Sequence, residues 1–102
     1  MEIAEKHIKE RRRIGTLRGE PVVEILTKGG LWLCVCKKDN KAQTLGTGPH
    51  RAVSRYIAQK LNPDMLLTEL SKSDHVDEAS ILSVFEQYKR KAELLTDLMN
   101  RE

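Results

Sequence analysis

Two apolar runs, 22–27 and 31–36, stand on either side of Gly29-Gly30, and the rest of the pattern is arranged around them. Both are rich in β-branched and aliphatic residues, which predicts a β-hairpin. Glycine accepts the positive φ that a tight primed turn requires, so a two-residue Gly29-Gly30 loop is expected. That loop sets Ile25 opposite Cys34, Val23 opposite Cys36 and Leu26 opposite Leu33, apolar against apolar. The second run is apolar on both faces, with Leu31, Leu33 and Val35 on one and Trp32, Cys34 and Cys36 on the other. Such a strand is normally central and covered on both sides. A reversal at Lys38-Asp39-Asn40-Lys41 brings 42–45 back as a third strand, completing an antiparallel meander with 31–36 in the middle.

Helical spacing flanks this sheet. Pro49 suits a first helical position and Gly48 or Thr47 a cap, so a helix is predicted over 49–61. Its apolar residues Ala52, Val53, Tyr56, Ile57 and Leu61 share one face, leaving Arg51, Ser54, Arg55 and Gln59 as a basic strip toward water. Asn62-Pro63-Asp64 repeats the start signal and predicts a second helix over 63–71. A third helix, over 75–100, carries Ile81, Phe85, Tyr88, Ala92, Leu95 and Met99 at alternating spacings of four and three. At ~1.5 Å per residue it is longer than short strands can cover, so this stripe either covers the second face of the sheet or captures a partner helix or second copy. In the second case Phe85, Tyr88, Leu95 and Met99 are the contact residues. At the other end, Ile3, Ala4, His7 and Ile8 predict a short amphipathic helix within 2–13. Gly15, Gly19 and Pro21 follow it as a link, with 14–17 a candidate edge strand.

The expected fold is therefore α+β: a three-stranded antiparallel meander with a short N-terminal helix and C-terminal helices, the last one long. The 102 residues suffice for one domain, 1–102, with 75–100 as an element available for association. Hydrophobic residues make up 39% and charged residues 32%, with no run long enough to span a bilayer, so no membrane partner is expected. The charged N-terminus lacks the apolar core of a signal peptide, which points to the cytoplasm. Cys34 and Cys36, as i and i+2 neighbours on a strand, read as reduced core thiols. They could supply two metal ligands, but His7, His50 and His75 lack ligand spacing; neither metal nor cofactor is expected.

Charge changes the picture more. Residues 1–60 hold 13 Lys and Arg against 6 Asp and Glu, a balance of +7; residues 61–102 hold 5 against 9, a balance of −4, which together give the net +3. Such polarity either presents a basic face to a polyanion or is neutralised within the fold. Arg11, Arg12 and Arg13 are a solvated face or a phosphate-contacting arm. Gly46-Thr47-Gly48-Pro49-His50-Arg51 with Arg55 places a Gly-rich turn, a helix N-terminus and two guanidinium groups together, ingredients suited to phosphate. The same glycines also serve a purely structural turn, and neither a dinucleotide fingerprint nor a P-loop is complete. No nucleophile elbow, zincin motif or activated Cys/His pair is present, so a non-enzyme is expected.

Helix, three strands and a helix opened by Gly46-Thr47-Gly48 with His50, Arg51 and Arg55 resemble, in order and over about 60 residues, a double-stranded RNA-binding domain. The chain departs from that family in carrying these residues instead of a lysine cluster, and in its acidic-rich helical tail. The functional expectation is a small regulatory protein presenting Arg11, Arg12, Arg13, Gly48, His50, Arg51 and Arg55 to nucleic acid or a nucleic-acid-handling protein complex. The alternative is an adaptor or inhibitor acting through the C-terminal helix as a homodimer or on another protein.

Overall fold

The computed structural model describes residues 6–68 and 78–101. In chain order the elements are β1 (Ile8–Leu17), β2 (Glu20–Thr27), β3 (Trp32–Lys38), β4 (Lys41–Gly48), α1 (Arg51–Leu61), β5 (Leu66–Leu67) and α2 (Glu78–Asn100). The strands form one antiparallel sheet in the order β4-β3-β2-β1-β5. One helix lies on each face, and two separate apolar cores result. On the α1 face Ile14, Leu17, Val22, Cys34, Cys36, Leu45, Ala58 and Met65 pack together. On the α2 face Ile25, Leu31, Leu33 and Val35 pack with Ala92, flanked by Tyr88, Leu95 and Met99.

The α+β class and the long last helix are as expected, but the sheet has five strands instead of three. The three expected strands survive as β2, β3 and β4 with β3 between the other two as expected, and the added strands make β2 the middle of the five. The residues expected as an N-terminal helix within 2–13 are instead extended from Ile8 onward; residues 2–5 of that expectation lie outside the described residues. Ile8–Leu17 pairs along the whole free edge of β2, and the ladder overrides a helix too short to be stable alone. With a strand in place of that helix, four strands precede α1, and the likeness to a double-stranded RNA-binding domain ends there.

The expected helix over 63–71 is also overturned. Pro63 and Asp64 form a turn, Met65 enters the core, and Leu66–Leu67 pairs with Gly15 and Thr16. The backbone N–H of Thr68 donates to the Ile14 carbonyl at 2.8 Å, so the C-terminal end of β1's second edge is covered by this segment. Residues 69–71 lie outside the described residues, as do 75–77 of the last helix.

The β2–β3 hairpin is shifted by one residue from the expected register. Thr27 and Leu31 close a three-residue loop, Lys28-Gly29-Gly30, with Gly30 at φ +86°. Only the last loop residue needs the left-handed conformation, a turn type that fits three residues and not two. Thr27 Oγ1 accepts a further bond from the Leu31 N–H at 3.0 Å. Ile25 therefore faces Leu33, Val23 faces Val35, and Glu24 faces Cys34. The other two hairpins turn on Arg18-Gly19 and Asp39-Asn40, with positive φ at both central residues of each.

Bulges at Ile14 and Leu45 shift the alternation of β1 and β4 and bring an extra apolar residue from each strand onto the α1 face. Beside Leu45, Gly46 meets the helix directly: a Cβ there would collide with the Ser54 carbonyl and lie 2.6 Å from the Ala58 N. Helix α2 is fastened to the edge strand by side chains. Thr96 Oγ1 bonds Thr44 Oγ1 and donates to the Ala92 carbonyl, while the Asn100 amide accepts from Ala42 N–H at 2.6 Å and donates to Ala42 C=O at 2.8 Å. A carboxamide thus takes the place of a neighbouring strand's peptide group.

Substituting Gly46→Ala is expected to push α1 off the sheet and cost about 2 kcal/mol or more, since the colliding atoms are backbone and cannot rotate away. Urea unfolding monitored by circular dichroism checks this; an unchanged midpoint would contradict the close approach.

Candidate anion-binding interface

Helix α1 is rolled relative to its expected orientation. Ser54, Arg55, Ile57 and Ala58 face the sheet, while Ala52, Val53 and Tyr56 are half-buried and Leu61 is exposed. The cause is a carboxylate in the middle of β2. Glu24 alternates onto the α1 face with 2% exposure, and Arg55, 6% exposed, answers it with two parallel bonds, Nε to Oε1 at 2.7 Å and Nη2 to Oε2 at 3.1 Å. Arg51 adds its Nε at 3.3 Å from Oε2 and lies over the Trp32 ring, 4.7 Å from the centroid. A paired fork of this kind satisfies a buried carboxylate whose isolated burial would be prohibitive. The hydrogen bonds that Arg55 donates to the Glu24 carboxylate raise its pKa above the ordinary value against the opposing effect of burial.

This geometry removes Arg55 from the expected basic strip, because its charge is spent inside the fold. Arg51 remains 44% exposed but is shared between Glu24 and Trp32. His50 is exposed at the N-cap of α1, where its side chain makes no capping bond. Gly48 is not a ligand-cradling turn: it is the last residue of β4, buried, paired with Trp32, with Val53 Cγ1 against its Cα side. The glycines at 46 and 48 thus serve helix–sheet approach. The phosphate constellation imagined at this corner is not assembled.

Arg11, Arg12 and Arg13 fare differently. They are exposed on β1, and strand alternation puts Arg11 and Arg13 on the α2 face and Arg12 on the α1 face, opposite Glu24 in register. Of the residues expected to capture a partner, Tyr88, Leu95 and Met99 pack on the sheet core, and Phe85 is half-buried with the Lys89 ammonium 5.6 Å from its ring centroid. Their stripe is used within the chain. Glu24 was missed as a structural centre, although its signal was present: a carboxylate inside the run Val22-Val23-Glu24-Ile25-Leu26 demands a partner wherever that run is buried.

Cys34 and Cys36 are both free and buried. Burial pushes the Cys34 thiol from 9.0 to about 11, partly opposed by a hydrogen bond with Ser54 Oγ at 3.4 Å. A thiol held this way is a poor nucleophile. Among the described residues no three His, Cys, Asp or Glu side chains converge on a point where a metal ion could sit, and no helix is long and apolar enough to cross a membrane.

The site and fold together define a class: a five-stranded antiparallel sheet sandwiched between two helices, with a buried Glu–Arg pair under one and exposed arginines on a strand. Compared with protein-family models, curated proteins and solved structures, the chain matches none.

Two outcomes are expected from this chemistry. Glu24→Leu or Arg55→Met alone each destabilises by about 3–5 kcal/mol by leaving a lone buried charge, whereas the two together recover most of the loss; the double-mutant cycle of these substitutions in urea measures the coupling. For Cys34, the fold favours the protonated thiol, so its contribution, about 3 kcal/mol, is intact below pH 9 and is lost as pH rises through 11. The stability difference between the native chain and Cys34→Ala therefore narrows from pH 8 to pH 10.5, and a constant difference would contradict the burial argument.

Proposed function

We propose that this is a small non-enzymatic binding protein that presents the cationic side chains of its sheet to a phosphate-rich partner, nucleic acid being the polyanion that best fits. One observation carries the reading. Between Ile8 and Gly48, Lys9, Arg11, Arg12, Arg13, Arg18, Lys28, Lys37, Lys38 and Lys41 are all exposed, whereas only Glu10, Glu20 and Asp39 are exposed acids. Glu24, the remaining acid of this stretch, is buried and already matched. The exposed charged side chains of this stretch are therefore nine cations against three acids.

The arrangement suits a repeating anion. Arg11 and Arg13 are two residues apart on one strand face, so their Cα atoms stand roughly 6.6 Å apart and their guanidinium groups can meet successive phosphates. Arg18, Lys38 and Lys41 stand at or beside the two primed turns, which lie at the same end of an antiparallel sheet. No aromatic side chain accompanies Arg11 and Arg13 on β1 as a stacking platform, so contacts to phosphate, not to base faces, dominate this reading.

Fluorescence anisotropy with labelled duplex and single-stranded oligonucleotides tests the proposal. Binding is expected at 50 mM salt and to weaken steeply by 200 mM. Arg11→Ala with Arg13→Ala lowers affinity for every sequence alike and reduces the logarithmic salt slope by about 2. Failure to bind either DNA or RNA at low salt, with the fold intact, would remove the reading.

A further inference from the structure

The corner where α1 begins assembles no phosphate cradle, but it does assemble a plane. Arg51 is held there from two sides: its Nε lies 3.3 Å from Oε2 of the buried Glu24, and its guanidinium lies over the Trp32 ring, 4.7 Å from the centroid. One edge and one face of the guanidinium are thus occupied. The side chain is nonetheless 44% exposed, which leaves the outer face to water. Glu24 is itself fixed by the two bonds from Arg55, so the plane is set by the fold and need not be ordered by a ligand. We infer that this guanidinium is a stacking shelf for one unpaired base of the polyanionic partner, and that the partner is single-stranded where it crosses this end of the sheet. The shelf presupposes the nucleic-acid reading and narrows it.

Three features select an unpaired base. A guanidinium plane stacks on flat π systems, and its positive charge favours the electron-rich face of a ring. Within a duplex both faces of each base are covered by neighbours, whereas an unpaired base has a face to give. Cations for the adjoining phosphates stand at the same end of the sheet. Trp32 begins β3 just beyond the Lys28-Gly29-Gly30 loop, and the Lys28 N–H donates to the His7 carbonyl at 2.8 Å, so the exposed Lys28 and Lys9 lie across the strand ends from the shelf. With neighbouring strands about 4.8 Å apart, β3 to β1 spans roughly 10 Å, close enough for the backbone on one side of a stacked base. Electrostatic attraction stays with those surface cations. Arg51 adds a plane to it.

Trp32 is the sole tryptophan of the chain, so its emission reports on the shelf directly. The test titrates the full chain at low salt with a short single-stranded oligonucleotide and with the blunt duplex of the same sequence. The single strand is expected to change Trp32 emission saturably, and the duplex to leave it unchanged. Arg51→Lys keeps the positive charge and removes the plane; it weakens single-strand binding about fivefold while the duplex affinity and the logarithmic salt slope stay as they are. A merely structural role for Arg51 would weaken both forms alike. Trp32 emission that ignores the single strand, an equal response to the duplex, or undiminished single-strand binding by Arg51→Lys overturns the shelf and leaves the phosphate reading standing. Binding of neither form removes both.

Discussion

The buried carboxylate of Glu24 sets the terms for half of this molecule. A charge in the middle of a sheet can stay only if an opposite charge comes to it, and the partner must arrive on the next layer of structure. Arg55 does so from α1, with Arg51 behind it, and the requirement that these groups meet fixes how the helix is rolled. Small groups at Ser54, Ala58 and Gly46 then let the helix backbone approach the sheet closely enough for the fork to reach. Electrostatics chooses the face, and steric economy sets the distance.

The opposite layer is built on different physics. Helix α2 meets the sheet through aliphatic and aromatic packing, and its register against β4 is set by polar side chains along the edge, Thr96 on Thr44 and Asn100 on Ala42. The carboxamide occupies backbone groups that an unprotected edge strand would offer to another chain. Tied to that edge, α2 still covers Ile25 of β2 but leaves Val23 half-buried, and a groove beside Met99 lies there.

Charge is divided along the same lines. The cations nearest the sheet–α1 interface are consumed by Glu24 and Trp32, whereas those on β1 and the hairpin ends stay at the surface. A basic sequence therefore yields two populations of arginine, one structural and one at the surface, and only the second bears on a polyanionic partner. The proposed function rests on β1 and its neighbours, not on the helix N-terminus that the Gly-x-Gly pattern had indicated.

Local sequence determined what depends on near neighbours: the strands 22–27, 31–36 and 42–45, the reversal at Asp39-Asn40, the helix near 49–61, the apolar stripe of the last helix and the burial of Cys34 and Cys36. These follow from periodicity, β-branching and turn chemistry, which act over a few residues. Tertiary structure decided the rest, because it turned on partners far along the chain. Ile8–Leu17 became a strand because the edge of β2 was open, and Leu66–Leu67 because the edge of β1 was. One more residue in the Gly29-Gly30 loop moved the β2–β3 register, brought Glu24 opposite Cys34 and turned Arg55 from a surface charge into an interior one. A side-chain period of two makes such a slip all-or-none, and only the assembled layers can select which face each residue takes.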